Sequence, residues 1–295
     1  MTIMINIESH GIYAGINAPI KLDDMLDIGG WLIPDIKPEG DSECDFFVDY
    51  KKGKSHLQFD EKAIRLSGSC TGYELSFDIA AVLSKMFEKC YFRKGYHSLH
   101  SSAVSKKGSA VLFLGPSHSG KSTLAAYLSM NYGLNYISGD RTLLKGAKII
   151  GGTKKDMMRS GSLKFFNHNI PKRDISWLST ELIDFGRYSF LDFEMYDISS
   201  IFFIQHENSE RYLEEIKKTD KRLIKLYDSL LFFVDKYPNL ALKLNIPIPP
   251  ISDMDVHISK LDFARFLARN IVCYSLSGNF DFMSKKVLEF LGGDS

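Results

Sequence analysis

An α/β fold is what this sequence predicts, and three observations predict it. Short apolar runs that read as buried strands alternate with segments of helical periodicity: Ser109 to Leu114, Leu134 to Ser138, Ser200 to Gln205 and Ile271 to Leu276. The first of these runs ends in Gly115 and is followed closely by helix-forming Thr123 to Met130, a strand, loop and helix in immediate succession. The 295 residues, 44% hydrophobic and 25% charged, match a globular chain with room for one large domain or two smaller ones.

From the N-terminus, Met1 to Ile7 is apolar but has no basic lead-in and runs straight into Glu8, so no signal peptide is expected. Asp45 to Lys51 and Ser55 to Phe59 flank Lys52-Gly53-Lys54 and predict a hairpin within a strand-rich region that ends near Gly72. Leu75, Ile79, Val82, Leu83, Met86 and Cys90 then recur at helical spacing, which predicts a helix over Glu74 to Phe92. A boundary is expected near residue 80, separating a strand-rich region, 1–80, from a motif-bearing region, 81–295. Further on, Arg211 to Phe233 reads as one long amphipathic helix and Phe282 to Leu291 as a closing helix.

Composition excludes several function classes. With 37 Lys and Arg against 36 Asp and Glu, the net charge of +1 gives no general attraction for nucleic acid or an anionic membrane. No run approaches the ~18 apolar residues of a bilayer span, so a cytoplasmic protein is expected. Cys44, Cys70, Cys90 and Cys273 form no Cys-x-x-Cys pair and read as buried free thiols rather than zinc ligands. Charge is nevertheless uneven along the chain. Arg141 to Arg173 holds nine basic residues and a single acid, Asp156, whereas Asp174 to Glu215 holds ten acids against Arg187 and Arg211. The basic stretch reads either as a collector of phosphates or an acidic substrate, or as a solvated loop.

Gly115-Pro116-Ser117-His118-Ser119-Gly120-Lys121-Ser122 matches G-x-x-x-x-G-K-[ST] at every required position. In such a loop the glycines let the backbone turn so that successive N–H groups and the following helix N-terminus face phosphate oxygens. Gly115, Ser117, His118, Ser119, Gly120, Lys121, Ser122 and Thr123 are therefore the expected nucleotide-binding residues, with Lys121 neutralising the terminal phosphates and Ser122 offering its hydroxyl to Mg²⁺. The reaction depends on a carboxylate, and the nearest candidate is Asp140, after the Leu134 to Ser138 run. Asp192 or Glu194, and Glu207, are its rivals.

These residues resemble the HPr kinase/phosphorylase-like branch of P-loop kinases, whose nucleotide core is related to phosphoenolpyruvate carboxykinase. Leu99-His100-Ser101-Ser102-Ala103-Val104 looks like that family's His-containing segment, Val111 to Leu128 like its phosphate loop and helix. Tyr136-Ile137-Ser138-Gly139-Asp140 looks like the apolar strand that ends in two adjacent aspartates. The resemblance implies an ATP- and Mg²⁺-dependent kinase domain over 81–295, with Lys121, Asp140 and His100 catalytic and Ser122 and Asp140 toward the metal. It also implies self-association, since family members form oligomers. The sequence departs from the pattern at Gly139, where the first aspartate of the pair should stand; Asp140 then serves both needs, or Asp156, Asp192 or Glu207 substitutes, or the chemistry is lost. The signature of bifunctional HPr kinases is not found, so HPr is not the expected acceptor. The expectation is phosphoryl transfer to a hydroxyl of a small metabolite or of a peptide Ser or Thr, the alternative a nucleotide-binding regulator or pseudokinase. A nucleotide hydrolase is the third reading, and residues 1–80 are expected to recognise the acceptor or mediate assembly.

Overall fold

Alternation of buried and exposed residues builds the first sheet. The structure, a computed structural model, describes residues 3–40, 42–163, 165–166, 172–175, 180–190, 194–206, 210–251 and 253–292. Strands β1 (Ile3–Ser9) and β2 (Ile12–Ala18) pair antiparallel through a two-residue turn. His10 and Gly11 both have positive φ there, 50° and 71°, as a turn that matches strand twist requires. Helix α1 (Leu22–Leu32) and strands β3 (Lys37–Pro38), β4 (Phe46–Lys52), β5 (His56–Phe59) and β6 (Ala63–Gly68) follow, in the sheet order β3-β1-β2-β4-β6-β5.

The segments expected to form a hairpin, β4 and β5, are both strands but do not pair with each other. Strand β6 lies between them, parallel to β4 and antiparallel to β5. The reason is burial: β4 and β6 bury Phe46, Val48, Tyr50, Ile64 and Leu66, whereas no residue of β5 is fully buried, which suits it to the edge.

Helix α2 (Gly72–Arg93) covers the predicted helix and extends it at both ends. Its buried residues include Ser76, Asp78, Ser84, Lys85 and Glu88 as well as the apolar positions. A boundary near residue 80 would cut this helix, and the chain does not divide there. One unit comprises Met1–Gly95 with Phe233–Ser252, the other Tyr96–Phe232 with Asp253–Ser295. Two buried charges on α2 explain the return segment. Asp78 accepts hydrogen bonds from the backbone N–H of Lys243 (3.1 Å) and Leu244 (2.7 Å), and Lys85 donates to the carbonyls of Phe233 (2.9 Å), Val234 (3.1 Å) and Tyr237 (3.3 Å). Charges this deep are tolerated only when so partnered.

The second unit opens with β7 (His97–His100), β8 (Ser102–Lys106), β9 (Ser109–Leu114), α3 (Lys121–Tyr132), β10 (Asn135–Ser138), β11 (Arg141–Lys145) and β12 (Lys148–Gly152). Strand β13 (Lys155–Met158), the short helix α4 (Ser160–Leu163), β14 (Lys172–Ile175) and β15 (Thr180–Asp184) come next, and these three strands form a separate antiparallel sheet. Strands β16 (Tyr196–His206) and β17 (Tyr212–Glu215) and helix α5 (Thr219–Leu231) lead to the return segment with its short pair β18 (Leu240–Ala241) and β19 (Ile246–Pro247). Helix α6 (Met254–Asn270), β20 (Cys273–Gly278) and α7 (Phe280–Phe290) close the chain.

The long helix expected over Arg211 to Phe233 is therefore a strand followed by a shorter helix. Tyr212 to Glu215 pair with β20, whose open edge satisfies their backbone groups, and tertiary pairing overrides the helical periodicity. The central strands β9, β16 and β20 run parallel, which is why they read as continuous apolar runs. Leu112, Leu114, Ile201 and Phe203 pack with Leu226, Leu230, Phe263 and Leu267 of α5 and α6. Val111, Phe113, Phe202 and Ile204 pack on the other face with Leu124 and Leu128 of α3 and Phe280, Met283 and Val287 of α7. The fold is mixed α/β, with helices on both faces of the large sheet. Among the described residues, no helix is long and apolar enough to cross a membrane.

Candidate functional site

Strand β9 delivers the chain into the glycine loop at the edge of helix α3. Gly115 has φ 153° and a Cβ there would lie 2.8 Å from the Ile204 carbonyl; Gly120 has φ 93° and faces the Cβ of His206 at 3.1 Å. Both positions need glycine for space and for backbone conformation. His118 also sits in the left-handed region, at φ 67°. Ser117 and His118 are exposed, while Ser119 and Thr123 are buried and Ser122 is half-buried. The Ser119 carbonyl accepts from the His206 N–H at 3.1 Å, tying the loop to the end of β16. No side chain caps α3 among the described residues, so its first-turn N–H groups stay available to an anion.

Lys121 is 5% exposed, and its ammonium donates to the Gly115 and Pro116 carbonyls at 3.1 and 3.0 Å. Burial pulls its pKa down, against the charges of Asp140 and Asp156, and the net direction is downward. The Ser122 hydroxyl donates to the Gly139 carbonyl at 2.7 Å, and the Ser102 hydroxyl donates to the same oxygen.

Asp140 and His100 meet because β7 pairs with β11 in a register that sets His100 opposite Arg141. His100 Nε2 lies 3.1 Å from Asp140 Oδ1, and the imidazole stacks on Phe232 with centroids 3.8 Å apart. The backbone N–H of Asp140 donates to the Thr153 hydroxyl at 3.3 Å, and that of Gly139 to the Thr153 carbonyl at 3.0 Å. Burial pushes the Asp140 carboxyl up, but the charge and hydrogen bond of His100, with Lys121 and Arg141, bring it below the ordinary aspartate value.

Asp156 is the residue the tertiary structure singles out. A Cβ built on Gly139 would fall 3.0 Å from Asp156 Oδ2 and 3.2 Å from its Cβ, and inside contact distance of the Tyr136 hydroxyl. The side chain of Asp156 thus occupies the ground an aspartate at 139 would need. Asp156 is 4% exposed, and its Oδ2 and the Tyr136 Oη are buried without a hydrogen-bond partner. Burial, then the Asp140 charge, raises the Asp156 pKa to about 7, against the pull of Ser122, Lys121 and the Met157 N–H. In the sequence Asp156 is one acid among several substitutes, and no local pattern marks it; the signal toward it is Gly139, which departs from the pattern of the resembled family.

Of the rival acids, Glu194 is exposed at the approach to β16, and Asp192 and Glu207 lie outside the described residues. Three of the nine basic residues between Arg141 and Arg173 pair across strands with acids of the following stretch. Lys148 meets Asp197 at 3.0 Å, Lys155 meets Asp184 at 3.6 Å and Lys172 meets Glu181 at 2.8 Å. Lys154 donates to the Ile137 carbonyl at 2.5 Å, and the wholly buried Arg141 donates to the Ser98 hydroxyl at 3.1 Å. An aromatic wall that the sequence did not announce stands beside Gly120. His206 stacks on Phe280 with centroids 4.2 Å apart, and Phe165 stands edge-on to Phe280 at 4.8 Å.

The loop with Lys121 and Ser122 is thereby brought together with Asp140, His100 and Asp156. Among the described residues, no group of three His, Cys, Asp or Glu side chains is arranged to hold a metal ion by itself. Mg²⁺ in phosphoryl-transfer sites does not require one, since one or two carboxylates and the substrate phosphates suffice. The orphaned, buried Asp156 Oδ2 beside Ser122 fits such an ion. No protein-family model matches this chain, and no curated protein matches it.

Proposed function

We propose that this protein is an ATP-dependent kinase that transfers the γ-phosphoryl group to a hydroxyl of a small metabolite or of a peptide Ser or Thr, on a core of the HPr kinase and phosphoenolpyruvate carboxykinase type, acting in the cytoplasm. One observation carries the reading: a complete phosphate loop opens an uncapped helix, and its Lys121 feels the charge of Asp140, which His100 orients. The loop N–H groups and Lys121 bind the phosphates. Asp140, held ionised, accepts a hydrogen bond from the acceptor hydroxyl and orients its oxygen toward the γ-phosphorus. The new P–O bond forms as the bond to the β-phosphate oxygen breaks; the hydroxyl proton passes to the carboxylate and the electron pair leaves with ADP. In a largely dissociative transfer the protein's contribution is positioning and charge stabilisation, which a fixed carboxylate and a buried lysine supply. Mg²⁺, when bound, neutralises charge on the phosphate oxygens. The strand-rich unit carries no phosphate-binding motif, and we assign it acceptor recognition or assembly.

Incubation with γ-labelled ATP, Mg²⁺ and a metabolite and peptide extract tests the reading. A labelled acceptor is expected, and Lys121→Ala should lower its formation by at least about 100-fold, the scale on which removing one charge-stabilising donor acts. ATP binding without transfer to any acceptor would move the assignment to a nucleotide-binding regulator. Phosphate release without an acceptor would make it a hydrolase.

A further inference from the structure

Gly139 leaves the loop after β10 with one carboxylate where a phosphoryl-transfer site has work for two: holding the cation and orienting the acceptor hydroxyl. We propose that Asp156, carried in on the neighbouring strand β13, is the cation-holding carboxylate together with Ser122, leaving Asp140 to orient the acceptor; this rests on the kinase reading above.

Three observations converge on Asp156. Its carboxylate fills the space where a side chain at 139 would project, 3.0 Å from the missing Cβ, so a second acid reaches the same place by another route. Its Oδ2 is buried with no hydrogen-bond donor, and an unsatisfied carboxylate oxygen is costly unless a cation or donor completes it. Ser122, the hydroxyl that the phosphate-loop pattern directs to the metal, meets the same glycine, donating to the Gly139 carbonyl at 2.7 Å. Asp140 is differently placed, because one of its oxygens is already held by His100 at 3.1 Å. The two acids thus face different partners, Asp156 the glycine that Ser122 bonds and Asp140 the histidine.

The arrangement also explains why glycine stands at 139. An aspartate there would press its Cβ onto the wholly buried Tyr136 hydroxyl and onto Asp156. A side chain at 139 would have to displace Tyr136 as well as crowd Asp156, so position 156 is where this packing accommodates the second carboxylate.

Mn²⁺ as a paramagnetic stand-in for Mg²⁺ provides the test, titrated by electron paramagnetic resonance onto the full-length protein with ADP. The wild type, Asp156→Asn and Asp140→Asn are compared, with ADP affinity in chelator as the measure of folding. Asp156→Asn is expected to weaken Mn²⁺ binding at least 10-fold while leaving metal-free ADP affinity within about 2-fold; Asp140→Asn should keep Mn²⁺ affinity within about 3-fold. Should the Asn variant fail to bind ADP without metal, Asp156→Ser replaces it. Unchanged Mn²⁺ affinity in a folded Asp156 variant would overturn the assignment and leave the kinase reading standing. A greater loss from Asp140→Asn than from Asp156→Asn would reverse the two roles and also overturn it. Failure of the wild type to bind ADP at all would overturn the nucleotide reading itself, and this inference with it.

Discussion

Asp156 and Asp140 show how two like side chains acquire different properties from their surroundings. Burial and the neighbouring carboxylate raise the first to about 7, while His100 outweighs burial and lowers the second. The consequence for stability has a definite sign. Between the ordinary aspartate value of 3.8 and about 7, folded Asp156 keeps a proton that the unfolded chain has lost. The folded state then binds more protons, so stability falls as pH rises through that window. The contribution of Asp140 has the opposite sign and lies below the ordinary aspartate value, where its protonation removes stability as pH falls. In chelator and without nucleotide, denaturant titrations across pH 4 to 7 should show a slope of up to about 1.4 kcal/mol per pH unit from Asp156. Asp156→Asn should flatten that slope, and a variant with the slope of the wild type would show that another group carries it.

At the scale of elements, helix α2 does more than bury an apolar stripe. Its Asp78 and Lys85 hold a segment more than a hundred residues away in sequence, one through two backbone N–H groups and the other through three carbonyls. Asp78→Ala leaves the Lys243 and Leu244 N–H groups without their acceptor, and each such loss costs about 1–3 kcal/mol. The variant should unfold with about 2–4 kcal/mol less stability in urea and should be cut faster by protease within residues 233–251. Equal stability and unchanged cleavage would show that apolar packing alone holds the segment. A second element, β17, illustrates how a helical pattern loses to an available sheet edge. The periodicity of Arg211 to Phe233 is real, but the backbone groups of β20 needed a partner and Tyr212–Glu215 supply it.

For the whole molecule, the discontinuous first unit changes how the chain can be divided. A fragment ending at residue 80 stops inside α2 and lacks the 233–252 segment that Asp78 and Lys85 bind. It should show little cooperative thermal unfolding by circular dichroism. Residues 1–95 joined by a flexible linker to 233–252 contain the complete unit and should melt cooperatively. A cooperative melt of the 1–80 fragment would refute the division.

The α/β class, the buried strands β9, β10, β16 and β20, the helices α2, α3 and α7, and the glycine loop between β9 and α3 were all legible in the sequence. Each is a local pattern: apolar runs, 3.6-residue periodicity, and glycines at fixed offsets from a lysine and a serine. The resemblance pointed to Asp140 and His100 as candidates, and the register of β7 on β11 supplies the physical reason that they meet. Tertiary structure alone decided the place of β6 between β4 and β5, the return of 233–252 to the first unit, and the role open to Asp156. Those depend on contacts between residues far apart in the chain, where burial and backbone hydrogen bonding select among pairings that local patterns leave equal. At the site, the sequence shows glycine at 139, where the resemblance leads to an expected aspartate; only the packing of β13 against the loop after β10 shows that another carboxylate stands in that space.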